Sequence, residues 1–362
     1  MLVALIANLK RNAPTWTGMS PDYWDDLDSD ETIDAISGAL ESNGHQVAFV
    51  EGDINLYDRL SQLKPDICFN IAEGHFGDSR EAQIPAILEM MRMPYTGSRV
   101  LTLALSLDKP MTKRVLSYHG LPTPPFQVFE RLDEPLDPEM QYPLFVKPSR
   151  EGTGVGISAE SIVRDHEQLL KQLRQLFERY DQPVLVERFI EGREVTVGVV
   201  GNLSSPVAWR LPANEEARRI SRGLHFFPPL EIDMSRYPLE EAGIYTNRIK
   251  TVMAHEFYYL CPAPLTEDQV EELNWLTAAT FRVTGCMDVA RVDFRFDASD
   301  GDKPYILEIN PLPGLNPEYS DLAIEAQVEG WSYDALVNRI LDEAIERCGI
   351  GEDTPSPAMT VM

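Results

Sequence analysis

The chain has 362 residues, 43% of them apolar and 25% charged, which excludes a disordered chain, a collagen-like repeat and a small disulfide scaffold. Its 32 Lys and Arg against 58 Asp and Glu leave a formal net charge of -26, which argues against nucleic acid or anionic lipid as a partner. Cys68, Cys261, Cys286 and Cys348 form no CxxC pair, so neither a disulfide framework nor a zinc ribbon is legible and a reducing cytoplasm is expected. Leu2 to Ala7 reads as a first strand, too short for a signal segment, and nothing approaches the roughly 18 apolar residues of a membrane span. Asp30 to Ser42 has apolar residues at helical spacing and closes at Asn43-Gly44. Gln46 to Val50 reads as a strand, Ile54 to Leu63 as a helix ended before Pro65, and Ile67 to Ile71 as a third strand. Short apolar strands alternating with amphipathic helices imply an α/β unit with a parallel sheet, whose ligands gather at the carboxyl ends of the strands. The segment from Asn8 to Asp28, with Trp16, Trp24, Asp25, Asp26 and Asp28, follows the first of those ends. It is either a surface excursion with aromatic anchors or a loop that touches substrate.

A boundary is expected near Asp108, between a helix over Arg99 to Leu107 and another over Met111 to His119. Pro122, Pro124 and Pro125 then mark a connector. Strands at Phe126–Phe129, Leu144–Lys147, Val184–Arg188 and Glu194–Val200 around a helix over Asp165 to Arg179 read as a small α+β lid. Residues 206 to 264 are rich in Pro and charge; a helix over Thr266 to Val283, strands at Asp288–Phe296 and Pro304–Glu308 and a last helix over Ser332 to Arg347 follow. The division expected is 1–108, 109–205, 206–350 and a disordered tail, 351–362.

Lys147 ends an apolar strand and is followed by Pro148-Ser149-Arg150-Glu151-Gly152-Thr153-Gly154-Val155-Gly156. Such a loop can aim its N–H groups at phosphate oxygens while the lysine adds a point charge. By itself it fits a tight hairpin equally well, and it is neither a Walker nor a Rossmann pattern. Much later come Arg291-Val292-Asp293-Phe294 and Glu308-Ile309-Asn310-Pro311. The i, i+2 spacing puts Glu308 and Asn310 on one face of a strand, and with Asp293 they offer the few hard oxygen donors that magnesium on ATP phosphates needs. The alternative is an exposed acidic strand end with an Asn turn.

Taken together these segments resemble the ATP-grasp superfamily and, within it, the D-alanine–D-alanine ligase family. Leu107-Asp108-Lys109, Lys147 to Gly152, Val186 to Val197, Arg291 to Phe294 and Glu308 to Gly314 occur in the family's order and at similar spacing, with Pro94-Tyr95-Thr96-Gly97-Ser98 before them. The resemblance implies an ATP-grasp fold behind an N-terminal parallel-sheet domain. It implies a carboxylate–amine ligase that uses ATP with magnesium or manganese and works through an acyl phosphate, as a homodimer. It places Lys109 and Lys147 on the ATP phosphates, the hinge Glu187, Arg188, Phe189 and Ile190 at the adenine, and Glu194 on the ribose. Asp293, Glu308 and Asn310 become metal ligands, and Arg291 with the Gly314 N–H becomes the oxyanion site. Thr153 takes the place of the family's phosphate-loop serine, and Ser320 becomes the donor to a substrate carboxylate. Lys250 matches a loop lysine that meets the transferring phosphoryl group, or is a solvated loop lysine.

The substrate motifs depart from the family. Its Gly-rich turn and Ser/Glu motif after the first strand are absent, leaving Asp25 or Asp26 nearest the missing glutamate. Thr251 replaces the tyrosine after the loop lysine. Glu73-Gly74-His75-Phe76-Gly77-Asp78-Ser79-Arg80-Glu81 replaces a Gly-Glu-Asp-Gly turn, and Arg80 either pairs a substrate carboxylate or caps the following helix. Ligation of small-molecule carboxylates and amines other than two D-alanines is therefore expected. The rivals are a true D-alanine–D-alanine ligase and a non-catalytic ATP-binding regulator.

Overall fold

Strands β1 (Leu2–Ala7), β2 (Gln46–Glu51) and β3 (Ile67–Asn70) form a parallel sheet in the order β2-β1-β3. Val3 to Ala7 are fully buried, as a central parallel strand requires. Helix α1 (Asp30–Ser42) starts where the Ser29 side chain accepts the Thr32 N–H, which satisfies an otherwise open donor. Helices α2 (Leu56–Leu63), α3 (Gln83–Met91) and α4 (Val100–Leu107) complete this part. The computed structural model describes residues 1–20, 22–204, 221–234 and 259–351. Lys250, Thr251 and residues 352–362 lie outside the described residues.

Helix α5 (Lys109–Tyr118) begins two residues earlier than its sequence pattern suggests. Lys109-Pro110 reads as a break, but proline is accommodated in a first turn, where its missing N–H is not needed. Asp108 caps the helix by accepting the Met111 N–H. Lys109 thereby sits at the helix start instead of in a linker.

Strands β4 (Phe126–Phe129), β5 (Leu144–Pro148), β6 (Ile162–Val163) and β7 (Val184–Arg188) form an antiparallel sheet in the order β4-β7-β5-β6. Helix α6 (His166–Tyr180) covers it, with Leu169, Leu173 and Leu176 packed on Leu144, Val146 and Val184. The third sheet runs β11-β10-β8-β12-β13, with β9 also on β8. Its members are β8 (Glu194–Gly201), β9 (Leu224–Phe226), β10 (Leu230–Ile232), β11 (Tyr259–Leu260), β12 (Val289–Asp297) and β13 (Lys303–Asn310). Strand β8, which the sequence groups with the lid, thus pairs with β12 from Glu194 opposite Arg295 to Val200 opposite Val289. The run of Val195, Val197 and Val199 fits either sheet; their burial with Val292 and Phe294 decides for the third. Helix α7 (Glu267–Thr284) lies against this sheet and shares its core with Leu116 and Leu121, so α5 too packs here.

Helices α8 (Asp321–Glu329) and α9 (Tyr333–Cys348) return to the first sheet. Val3, Leu5, Ile36 and Leu40 share one core with Leu336, Val337, Ile340 and Leu341. The Pro94–Ser98 segment is tied to the same body. Fully buried Asp288 accepts the Gly97 N–H at 2.8 Å and pairs with Arg347 at 2.6 Å. The first and last parts of the chain therefore form one wall, and the four-stranded sheet has a core of its own. Leu341→Ala should cost roughly 2–5 kcal/mol, the usual range for a buried leucine, with urea unfolding as the measurement.

Candidate active site

One cavity lies between the four-stranded and the third sheet. It is lined by Phe145, Ile157, Phe189, Ile190 and Leu307, by Lys109, Lys147, Glu151, Gly152 and Gly154, and by Glu187, Arg188, Glu194, Asp293, Arg295 and Glu308. Apolar walls at one end and two lysines with a glycine-bearing loop at the other suit a flat ring joined to phosphates. The loop after β5 is held open for such a ligand. Gly154 and Gly156 have φ of 73° and 74°, and a Cβ on Gly156 would meet Pro148 Cγ at 2.7 Å, so glycine alone fits. Thr153, just before Gly154, also takes a left-handed φ of 49° and lines the neighbouring cavity.

At the wall of this first cavity Glu187 is buried between two lysines, Lys113 at 2.6 Å and Lys147 at 2.8 Å. Burial raises its pKa, but Lys113 and Lys147 outweigh that and hold the carboxyl below its usual range. Burial lowers the Lys147 pKa, yet Glu187 and Glu308 keep it above the usual range, whereas for Lys113 burial prevails and the pKa falls. Glu194 meets Arg295 at 3.2 Å, and the Arg295 guanidinium lies 5.0 Å from the Phe189 ring centre. Arg188 pairs with Asp297 at 2.7 Å.

On β12 and β13 the register sets Asp293 opposite Glu308 and Arg291 opposite Asn310. Asp293 receives Arg291 at 2.9 and 3.1 Å, Asn310 Nδ2 at 3.0 Å and Thr196 Oγ1 at 2.6 Å. Burial lowers the Arg291 pKa, but Asp293 and Asp321 outweigh it and keep the guanidinium charged. Glu308 lies 3.3 Å from Lys109 Nζ, which also donates to the Glu151 carbonyl at 2.5 Å. Asp293 and Glu308 line the first cavity; Glu308 and Asn310 line the second. Carboxylate and amide oxygens at that junction are the donor set that magnesium takes beside phosphates.

The second cavity, about 390 Å³, opens between the first sheet and the turn after β13. Thr153, Arg291, Gly314, Asn316, Tyr319, Ser320, Asp25, Asp26, Asp28, Glu73 and Glu81 line it. Ser320 Oγ accepts the Asn316 N–H at 2.8 Å and would lie 3.0 Å from a Cβ on Gly314, so the turn after β13 closes on itself around Gly314. The loop from Asn8 to Asp28 is stapled at its stem by Asp28 N–H to Asn8 and Lys10 N–H to Asp28. Its carboxylates reach the cavity, while Trp16 and Trp24 pack with Tyr23, His75 and Phe76 away from it. Asp25 pairs with Lys10 at 2.5 Å. Arg80 is not among the lining residues: it spans Asp26 at 3.0 Å, Glu151 at 3.3 Å and the Arg150 carbonyl at 2.8 Å. Its guanidinium therefore joins the loop to the phosphate loop and is spent on protein groups; capping of α3 is not among its bonds.

The family described as "D-ala D-ala ligase C-terminus" matches residues 115–213 and 229–342. A D-alanine–D-alanine ligase of Syntrophotalea carbinolica is 35% identical over 85% of this chain and 88% of its own length. The chain belongs to the D-alanine–D-alanine ligase family. An uncharacterized protein of Sinorhizobium fredii is 33% identical over 87% of each chain, and a D-alanine–D-alanine ligase of Pelotomaculum thermopropionicum is 31% identical over 88% of this chain and 93% of its own. The crystal structure of a D-alanine–D-alanine ligase from Bacillus anthracis complexed with ATP has the same fold, with TM-score 0.69, 20% identity and 96% and 98% of the two chains covered.

The groups that the resemblance assigns to nucleotide and metal, Lys109, Lys147, Glu187 to Ile190, Glu194, Asp293 and Glu308, all line the first cavity. Arg291, Gly314, Asn310, Thr153, Ser320 and Asp25 meet in the second. Reading the sequence missed Lys113, Glu151, Arg295 and Asp321, whose partners lie far along the chain. Lys113 carried one signal, its i, i+4 spacing from Lys109 on α5. Glu73 and Glu81 were seen only as part of an altered turn.

Two outcomes follow from the buried charges. Lys113→Met leaves Glu187 with one cation and should destabilise the fold by about 3–5 kcal/mol, the cost of breaking a buried pair, read by urea unfolding. Burial raises the Glu81 carboxyl from 4.5 to about 7, against the pull of Arg80 and Lys109. The unfolded chain gives up that proton at lower pH than the folded one, so stability falls as pH rises from 4.5 to about 7 and then levels. Glu81→Gln should therefore be more stable than the parent at pH 8 by roughly 1–3 kcal/mol, at about 1.4 kcal/mol per unit. The gap should close toward pH 5, with thermal unfolding at both values as the check.

Proposed function

We propose that the protein is an ATP-dependent ligase that joins a carboxylate to an amine, and that its acyl substrate is not D-alanine. The observation that carries the ligase reading is one strand pair, β12 and β13, which presents Arg291, Asp293, Glu308 and Asn310 where the two cavities meet. A nucleotide binder has no need of a guanidinium beside the second cavity, which disfavours the regulator. ATP would lie with its ring among Phe145, Ile157, Phe189 and Leu307, its ribose at Glu194 and its phosphates toward Lys109, Lys147 and the Gly152–Gly156 loop. Asp293, Glu308 and Asn310 would hold magnesium, with manganese as the alternative; the metal would supply neutralising charge on the phosphates.

A substrate carboxylate in the second cavity attacks the γ-phosphoryl group and ADP leaves. The amine then attacks the resulting acyl phosphate, a proton is lost from nitrogen, and phosphate departs. Arg291 and the Gly314 N–H, lining that cavity, stabilise the oxyanion of the second step. Closure of the four-stranded sheet on the wall behind it would exclude water, which otherwise hydrolyses an acyl phosphate.

The altered substrate rests on the acidic lining drawn from Asp25, Asp28, Glu73 and Glu81. The second reading, a D-alanine–D-alanine ligase, is favoured by the named relatives. Incubation with ATP, magnesium and D-alanine decides between them: little phosphate release is expected, and efficient formation of D-alanyl-D-alanine would refute the altered substrate. Glu308→Gln should abolish phosphate release with any substrate, and Arg291→Ala should lower turnover roughly 10²- to 10³-fold while nucleotide affinity holds. A cytoplasmic homodimer belongs to the same reading, and sedimentation tests the dimer.

A further inference from the structure

Among the described residues, the N-terminal wall of the second cavity holds more negative charge than its own cations answer. Asp26, Asp28, Glu73 and Glu81 all line it. Glu81 is only 8% exposed, yet its carboxylate has no hydrogen bond or ion pair among the described residues. Asp26 Oδ1 is also buried without a partner, although the other oxygen of that carboxylate meets Arg80. The Asp28 and Glu73 carboxylates make no hydrogen bond or ion pair among the described residues either. The nearby cations are committed: Arg80 to Asp26, Glu151 and the Arg150 carbonyl, Lys10 to Asp25, and Lys109 to Glu308 and the Glu151 carbonyl.

Two buried carboxylates, Asp26 and Glu81, beside the half-buried Asp28 and Glu73 are costly unless a cation meets them. A metal ion is a poor answer, because among the described residues no three His, Cys, Asp or Glu side chains converge closely enough to hold one. Groups spread along a wall suit instead an extended organic cation, whose N–H donors reach several acceptors at separate points. The α-ammonium of an ordinary amino acid answers one carboxylate and leaves the rest exposed to one another.

We propose that the acyl substrate is dibasic: an amino acid or short peptide whose reacting carboxylate is accompanied by its α-ammonium and by a second ammonium or guanidinium held by Glu73 and Glu81. The inference rests on the ligase reading above. It agrees with the electrostatics of this wall, where burial raises Glu81 to about 7 and burial with the Glu81 charge raises Glu73 well above the usual carboxylate value. Those protons are what a bound dication would displace.

The test needs no knowledge of the natural amine. With ATP and magnesium, hydroxylamine traps an acyl phosphate as a hydroxamate. Lysine, ornithine and arginine, in both enantiomers, are compared with the neutral isosteres norleucine and leucine and with alanine; lysine-containing dipeptides form a second arm. A dibasic substrate should exceed its neutral isostere by roughly ten- to a hundredfold in kcat/KM, the worth of a charge-assisted hydrogen bond in a buried site. Which arm is faster separates a free amino acid from a peptide. Glu81→Gln and Glu73→Gln should each reduce that ratio, by loss of the basic substrate's advantage. Hydroxamate from neutral carboxylates at rates equal to or above the basic ones would overturn the inference and leave the ligase reading standing. No hydroxamate from any carboxylate, despite ATP binding, would overturn the ligase reading, and the inference with it. Binding gives a readout independent of turnover: with a non-hydrolysable ATP analogue and magnesium, lysine should raise the melting temperature more than norleucine does, and equal protection would count against the proposal.

Discussion

A charge withdrawn from water must be answered by another charge, and the architecture of this protein is organised by where that requirement is met. Glu187 sits between Lys113 and Lys147 under the nucleotide cavity. Asp293 is gripped by Arg291, Thr196 and Asn310 at the junction of the cavities. Asp288 holds Arg347 and the Gly97 turn where the first sheet meets the last helix. Each pair is worth little as net stability, because desolvation consumes most of the attraction. Their value is positional: a paired, hydrogen-bonded ion has few alternative places to go, so lysines and carboxylates that act on a ligand are fixed before it arrives.

The same principle couples the two cavities. The loop from Asn8 to Asp28 touches the phosphate loop through Asp22, whose carboxylate accepts the Gly156 N–H at 3.2 Å and the Tyr180 hydroxyl at 3.1 Å. It touches it again through Asp26 and Glu151, joined by Arg80. A displacement of the carboxylates of this loop is therefore passed to the backbone of the Gly152–Gly156 loop. On the proposed reading, where an acyl phosphate must not form before its cavity is filled and closed, such a linkage would let the acyl substrate help set the Gly152–Gly156 loop.

The sheet pairing separates groups that strand register holds from groups that loops carry. Arg291, Asp293, Glu308 and Asn310 are held on β12 and β13 by strand register and by the core behind them. A substitution there disturbs strand pairing and the Arg291–Asp293 and Asn310–Asp293 contacts together. The acidic wall of the second cavity comes from a loop and a turn, Asn8–Asp28 and Glu73–Glu81, which can change composition while the sheet stays intact.

Ordered motifs from Lys109 to Gly314 made the ATP-grasp chemistry legible, because the groups around phosphate and metal are constrained in type and occur on short, regular segments. The parallel first sheet was equally legible, since apolar strands alternating with amphipathic helices have few other solutions. Strand β8 was not placed correctly by its neighbours in sequence: its valines suit either sheet, and only burial against Val292 and Phe294 chose. Nor did local pattern reveal that α9 shares a core with α1, or that Lys113 completes the Glu187 pair, because those partners lie about 70 to 300 residues apart in the chain and periodicity reports only nearest turns. Arg80 shows the division most plainly. Its sequence fixes a charge near an altered turn, but whether that charge meets a substrate or a protein carboxylate depends on which groups the fold brings within 3 Å. Residue types determine what chemistry the chain can perform; tertiary structure decides which charges are already answered and which are left for a ligand, because electrostatic compensation acts through space and not along the chain.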